Sequence, residues 1–309
     1  MRMPSSRRLL VALLAGLAGC GSSSNAPNVA YEAGAPSPGD GAPEVSPDAR
    51  EAGGARSPGC GASPTQGLGK YVEHAELVTN VAPAYAATSQ NRTYWLRLPL
   101  AYDPTRAYPI VLVGPGCGES GQAAIPIEQA TDEGAIIVGM NGVDNCFNHT
   151  GADTPDLPYF DATLAAIETS TCVDTSRVFV MGFSSGSWLT SYLGCARGDV
   201  IRAQGTIAGG LPPLPPACTG PIPAIFVHDT ADSSPSDVAA ARARVLTANG
   251  CGTTTQPYDI GVPSPCVQYD GCMPGEPVVY CETMGLGHVD QSSTKISTVG
   301  FWHFFTSLP

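Results

Sequence analysis

Basic residues are scarce in this chain. Its 309 residues carry 15 Lys and Arg against 27 Asp and Glu, for a formal net charge of −12. Nucleic-acid binding needs clustered cations to neutralise phosphates, so the balance argues against a nucleic-acid partner. It also argues against strongly anionic polymers as substrates and leaves neutral polymers and uncharged esters open. A membrane-spanning run is missing too, because the apolar stretch Leu9 to Leu17 is too short to cross a bilayer as a permanent helix. There is no internal repeat and no second break in composition. Histidine, the commonest general base, occurs five times, which narrows any search for a base to His74, His149, His228, His288 and His303.

What is present at the start reads as export. Arg2, Arg7 and Arg8 precede the apolar stretch, and the small residues Ala18 and Gly19 precede Cys20. Residues 1–20 are therefore expected to form a signal peptide. Leu17-Ala18-Gly19-Cys20 resembles the lipobox of bacterial lipoproteins. That resemblance implies cleavage before Cys20, lipidation of Cys20, and a place in the cell envelope, the outer membrane being favoured, with the lipid as the sole membrane contact. Residues 21–58 are built from Gly, Ser, Pro, Ala and acids and bury little, so they are expected to be a disordered linker. As a coil it would reach roughly 35 Å. Residues 59–309 remain as one folded domain, expected to act as a monomer.

Of eleven cysteines, ten lie beyond Cys20. An even number behind an export signal reads as disulfides, because the exported compartment is oxidising. Cys266 to Tyr269 and Pro277 to Cys281 flank a turn containing Gly271, Pro274 and Gly275. A hairpin centred there sets Cys266 opposite Cys281 at bridging distance. Cys272 is then free to reach Cys251. Cys117 and Cys146 follow successive buried strands and would meet on one sheet edge. No short Cys-x-x-Cys spacing supports a zinc site, and no metal or cofactor is expected.

From about residue 70 strands alternate with helices, which predicts an α/β protein with a mostly parallel sheet covered on both faces. Tyr71 to Val78 and Arg92 to Leu98 read as early antiparallel strands. Pro109 to Gly114, Ala135 to Met140, Arg177 to Met181, Ala203 to Ala208, Ala224 to Val227 and Val278 to Tyr280 read as buried strands. Helices are expected over Ile125 to Asp132, Tyr159 to Thr171 with Asp156 as a cap, Ser187 to Cys195, Ser236 to Ala248, and Ile296 to Phe305. Sheets of this kind place their active sites beyond the carboxyl ends of the strands.

Gly182-Phe183-Ser184-Ser185-Gly186 stands where the strand ending at Met181 meets the next helix. A Gly-x-Ser-x-Gly between strand and helix is a nucleophile elbow, whose sharp turn lifts the serine above the sheet edge. Gly182 and Gly186 are required because a Cβ there would collide with neighbouring backbone. Serine needs a base. His288, in the glycine-rich loop after the last strand, is the candidate. The orienting carboxylate should lie between serine and histidine in sequence, so Asp229 and Asp232 both qualify. Asp232 sits further into its loop and is favoured, Asp229 being read as a turn residue or cap, while Asp290 is too near His288 to hold its ring. Backbone N–H groups of Ser185 and of Cys117, in Gly114-Pro115-Gly116-Cys117-Gly118, are expected to form an oxyanion hole.

These residues together resemble the secreted feruloyl esterase and polyhydroxybutyrate depolymerase group of α/β-hydrolases. The likeness is carried by Gly59-Cys60-Gly61, Cys172-Val173-Asp174, Gly182 to Gly186, His228 to Asp232, Asn249-Gly250-Cys251 and Gly287-His288. It implies hydrolysis of carboxylic esters, such as feruloyl or acetyl groups on xylan, and disulfides Cys60–Cys172, Cys195–Cys218 and Cys251–Cys272. Polyester depolymerisation is the alternative. A binding lipoprotein on a retired hydrolase fold is the non-enzymatic one. The chain departs from the family at Pro115, at Ser187 and at Asp229, where the family has His, Gly and Gly. Pro115 and Ser187 are expected beside the oxyanion and acyl sites.

Overall fold

The computed structural model describes residues 55–79, 90–123, 125–147, 154–210, 218–233 and 235–309. The expected signal segment with Cys20, residues 21–54 and His149 lie outside them. Residues before Gly59 already belong to the fold. Ser57 N–H donates to the Val173 carbonyl at 3.0 Å, Thr175 N–H donates to the Ala55 carbonyl at 2.9 Å, and the Arg56 backbone pairs with that of Asp174 in an isolated antiparallel β-bridge. The last residues assigned to the linker therefore extend the fold.

Among the described residues, ten strands form one sheet. They are β1 (Tyr71–Leu77), β2 (Asn91–Arg97), β3 (Tyr108–Gly114), β4 (Ile136–Met140), β5 (Val173–Phe183), β6 (Ala203–Ile207), β7 (Ala224–Asp229), β8 (Thr255–Pro257), β9 (Cys266–Tyr269) and β10 (Val278–Thr283). Their order is β1-β2-β4-β3-β5-β6-β7-β10-β9-β8. The six strands from β4 to β10 run parallel, and the pairs at either end are antiparallel.

The strand period of two sorts the core into two layers. On one face Ile110, Leu112, Val178, Val180 and Phe226 pack with Tyr159, Phe160, Leu164 and Ile167 of α2 (Asp156–Ser170), Leu189 and Leu193 of α3 (Ser185–Ala196), and Val238 and Val245 of α4 (Pro235–Ala248). On the other, Val111, Val113, Phe179, Met181, Ile225 and Val227 meet Phe301, Phe304 and Phe305 of α5 (Phe301–Ser307). Phe305 stacks on Phe179 with ring centroids 4.7 Å apart. This is why the central strands read as unbroken apolar runs, and it is the α/β-hydrolase architecture.

Several elements differ from the sequence reading. The helix expected over Ile125 to Asp132 shrinks to α1 (Glu128–Thr131), because Asp132 and Glu133 turn left-handed at φ 46° and 58°. Asp156 is not a cap. It is the first residue of α2, and its Oδ1 lies 2.8 Å from Arg92 Nη2 in a buried ion pair. The Arg92 guanidinium also sits 3.9 Å over the Tyr159 ring. The closing helix begins as a wide π-turn over Ile296–Gly300. β8 went unread, being only three exposed residues.

Five disulfides join Cys60–Cys172, Cys117–Cys146, Cys195–Cys218, Cys251–Cys272 and Cys266–Cys281. In the β9–β10 pairing Cys266 stands directly across from Cys281. Among the described residues, no group of three His, Cys, Asp or Glu side chains could hold a metal ion, and no helix is long and apolar enough to cross a membrane.

Candidate active site

β5 delivers Gly182 and Phe183 to the carboxyl edge of the sheet, and α3 starts two residues later at Ser185. The turn between them is Ser184, at φ 54° and ψ −116°. A side-chain-bearing residue in such a region costs about 1–3 kcal/mol and persists only when its surroundings over-determine it. They do so here. A Cβ on Gly182 would overlap the Gly186 backbone, and a Cβ on Gly209 would overlap the Ser184 carbonyl. Ser184 N–H donates to the Ile207 carbonyl of β6 at 3.0 Å, while its own carbonyl accepts Ser187 N–H at 3.0 Å.

Ser187 does not line an acyl site. It is fully buried beneath the elbow. Its hydroxyl lies 2.6 Å from the Gly182 carbonyl and 2.7 Å from that of Ile207, and accepts Ile207 N–H at 2.8 Å. It ties α3 to β5 and β6, a task a glycine could not perform.

The carboxyl ends of β7 and β10 carry the other two groups. His288 Nε2 lies 2.9 Å from Ser184 Oγ, and His288 Nδ1 lies 2.9 Å from Asp232 Oδ2. A carboxylate only accepts, so Nδ1 carries the ring proton and Nε2 is left to accept from the serine hydroxyl. The Asp232 side chain is 1% exposed and that of His288 is 43% exposed. The carboxylate is thus shielded from solvent while the imidazole is open to it. Phe183 flanks the imidazole with ring centroids 5.0 Å apart.

The other described histidines lie elsewhere or do other work. His74 stacks on Tyr94, His228 is buried at the end of β7, and His303 lies against Gly261. Asp290 caps its own turn by accepting Ser292 N–H at 3.0 Å.

The loop after β3 borders the elbow, because Gly114 pairs with Gly182 in register. Ser185 Oγ donates to the Pro115 carbonyl at 3.3 Å. Within this loop Gly116 N–H donates to Glu119 Oε2 at 3.0 Å and Gly118 N–H donates to the Asn145 carbonyl at 2.7 Å. Cys117 lies between them, tethered to Cys146 beyond β4.

Asp229 organises its own turn, as expected, and also reaches beyond it. Its Oδ1 accepts N–H bonds from Gly287 at 2.9 Å, Ala231 at 2.9 Å and Leu286 at 3.1 Å, and its Oδ2 accepts the Thr283 hydroxyl at 2.7 Å. Burial pushes its carboxyl up, but the Gly287 N–H, the Thr283 hydroxyl and the Ala231 and Leu286 N–H groups outweigh burial and bring it down to about 2. The sequence signal was there, as a second acid three residues before Asp232 in the same short stretch. Thr283 and Gln291 were missed altogether, since neither falls in a motif. Met284, Leu286 and Val289 are exposed apolar side chains on the His288 loop.

No family model matches the chain. It is 30% identical over 187 residues to feruloyl esterase C of Emericella nidulans, a match covering 56% of this chain and 66% of that one. It is 28% identical over 245 residues to feruloyl esterase D of Neurospora crassa, covering 71% and 80%. Among solved structures, a CE1 ferulic acid esterase from Anaeromyces mucronatus in complex with ferulic acid superposes with a TM-score of 0.53 at 18% identity, covering 81% of this chain and 94% of that one. Acetyl xylan esterase from Aspergillus awamori gives 0.52 at 12% identity, covering 74% and 99%. The class these findings define is a carboxylic ester hydrolase of the α/β-hydrolase fold. Within that class, feruloyl esterases are the relatives this chain resembles.

Proposed function

We propose that this protein hydrolyses feruloyl or acetyl esters of plant cell wall polysaccharides by acyl transfer through Ser184. The observation that carries the proposal is the continuous Asp232–His288–Ser184 hydrogen-bond chain, with both links at 2.9 Å, on a strained elbow. The similarity to feruloyl esterases supports the choice of ester.

The geometry supports this sequence of steps. His288 Nε2 takes the hydroxyl proton as Ser184 Oγ attacks the ester carbonyl. Asp232 keeps the proton on Nδ1 and stabilises the imidazolium. Negative charge on the carbonyl oxygen develops at the start of α3, where N–H groups lack intrahelical partners. Ser185 N–H is one donor. In the β3 loop, proline has no N–H, and those of Gly116 and Gly118 are committed elsewhere, so Cys117 N–H is the second. Each such donor lowers the barrier by about 3 kcal/mol. His288 returns the proton to the leaving alcohol, and water then releases the acyl group by the same route.

Methyl ferulate, acetylated xylan and short polyhydroxybutyrate, assayed side by side with wild type and Ser184→Ala, test the reading. Turnover of either of the first two, lost in Ser184→Ala, is expected. Preference for the polyester would favour the depolymerase reading instead, to which the exposed Met284, Leu286 and Val289 around His288 lend support. Turnover of nothing, p-nitrophenyl acetate included, would return the chain to the binding-protein reading.

We further propose that the protein is exported and lipid-anchored through Cys20. Cys20→Ser should then move it out of the membrane fraction, and unchanged fractionation would contradict the anchor.

A further inference from the structure

We propose that Asp229 is a positioning residue. Its carboxylate fixes the His288 loop against the Asp232 loop and so holds the imidazole at Ser184. The inference rests on the serine-hydrolase reading of those three residues.

The His288 loop has little of its own to hold it. Gly285 and Gly287 take φ values of +81° and +74°, and an added Cβ at either would meet nothing within 4 Å. Met284, Leu286 and Val289 point outward. Apart from Phe183, whose ring flanks the imidazole on one side, side-chain packing does little to set its height above the sheet.

The Asp229 carboxylate supplies that hold. The successive N–H groups of Leu286 and Gly287, immediately before His288, converge on Oδ1 at 3.1 Å and 2.9 Å. Two adjacent N–H groups aimed at one oxygen form a concave anion seat, which the left-handed Gly287 makes possible. Asp229 also organises the turn that carries the acid. Ala231 N–H donates to the same Oδ1 at 2.9 Å, and Asp232 N–H donates to the Asp229 carbonyl at 2.9 Å. The base and its carboxylate thus hang from one residue, which is itself 1% exposed at the end of β7.

The loop is pinned at its ends as well. Thr283, the last residue of β10, donates its hydroxyl to Asp229 Oδ2 at 2.7 Å. The same hydroxyl oxygen accepts Gln291 Nε2–H at 3.0 Å, and Gln291 is buried on the far side of His288. Thr283, the segment 286–287 and Gln291 therefore connect, directly or through one hydroxyl, to a single carboxylate. Loss of that carboxylate strands three N–H donors at once and frees the loop at its centre.

The test compares Asp229→Ala, Asp229→Asn and Thr283→Val, with Ser184→Ala as the inactive control and p-nitrophenyl acetate as substrate. A displacement of about 1 Å at a reacting group costs up to ~100-fold in rate, so Asp229→Ala should lower kcat by about 30- to 100-fold with KM within about threefold. Asp229→Asn keeps a carbonyl oxygen for the three N–H groups and should restore kcat to within about fivefold of wild type. A folded Asp229→Ala with kcat within threefold of wild type would overturn the proposal. So would an Asp229→Asn as impaired as the alanine variant. If Asp229→Ala does not fold, Thr283→Val decides. A kcat loss of about threefold at unchanged KM supports the proposal, and unchanged kcat overturns it.

The low-field proton resonance of His288 Nδ1–H gives a readout independent of turnover. It should be sharp in wild type and in Asp229→Asn. In Asp229→Ala it should be lost to exchange, at a temperature where circular dichroism still reports the native fold. A wild type that turns over no ester would sink the hydrolase reading, while this resonance would still show whether Asp229 holds the imidazole.

Discussion

Gly186 and Gly114 touch backbone to backbone. A Cβ on Gly186 would overlap the Gly114 carbonyl, and one on Gly114 would come within 2.8 Å of the Gly186 Cα. This contact presses the loop after β3 onto the first turn of α3, so the two stretches that supply the Cys117 and Ser185 N–H groups share one wall. Both partners are main chain, and neither can rotate aside as a side chain would.

Gly186→Ala should therefore be damaging, not merely awkward. Overpacking in a dense core costs about 1–3 kcal/mol and more where backbone must shift. Thermal denaturation should show a lowered Tm, and esterase activity should fall with it. Gly220→Ala is the control. Its Cβ would meet nothing within 4 Å, so its effect should stay within about 0.5 kcal/mol. Equal melting of the two variants would show that the elbow tolerates the methyl group.

Substitutions in the triad should differ in kind. On the proposed mechanism Ser184→Ala and His288→Ala remove the nucleophile and the base, and each should lower kcat by about 10⁶-fold, down to the residue left by the oxyanion donors and binding. Asp232→Asn keeps the shape but favours the wrong imidazole tautomer and should lower kcat by about 10⁴-fold. The double variant Ser184→Ala/Asp232→Asn should be no worse than Ser184→Ala alone, because the three groups act as a unit. Additive losses in kinetic assays would show that Asp232 acts elsewhere.

Much of this site could be read from the sequence because its parts sit in strong local patterns. Val178 to Met181 is apolar and runs into a glycine-bracketed serine, so strand, turn and helix announce themselves within ten residues. Asp232 and His288 follow strands whose apolar runs mark the sheet edge. The pairing of Cys266 with Cys281 followed from hairpin register alone. What could not be read depended on contacts far apart in sequence. Asp229 is one of several acids in a polar stretch, and its bonds to Leu286 and Gly287 exist only after β7 and β10 pair in parallel as far as Thr283. Ser187 looks like an acyl-site neighbour until β6 is placed beneath the elbow. Asp156 has the position of a helix cap, but the buried Arg92 claims its carboxylate.

Asp229 also makes a prediction about acid. Its carboxyl, brought down to about 2 in the folded protein, sits below the unfolded value of about 3.9. A depressed folded pKa contributes stability that is present above the unfolded value and is lost as pH falls through the folded one. The window is therefore about pH 4 down to about pH 2. Wild-type Tm should drop through that range more steeply than that of Asp229→Asn, whose amide does not titrate. Parallel Tm profiles for the two proteins would show that the Asp229 charge does not stabilise the fold.

The disulfides should separate stability from catalysis. Cys60–Cys172 closes 112 residues and Cys117–Cys146 closes 29. On chain-entropy grounds the first contributes about 5 kcal/mol and the second about 3–4 kcal/mol. Cys60 and Cys172 lie in the lower core, beside α2 and the start of β5, away from Ser184. Cys117 lies in the loop after β3, which is proposed to supply the second oxyanion donor. Replacing Cys60 and Cys172 by serine should therefore cost more in Tm and leave kcat nearly unchanged below the melting transition. Replacing Cys117 and Cys146 should cost less in Tm and lower kcat by about 10- to 100-fold, because a mobile Cys117 N–H no longer waits where the oxyanion forms. Full activity in the second variant, measured well below its Tm, would remove Cys117 from the oxyanion hole and leave Ser185 to act with a different partner.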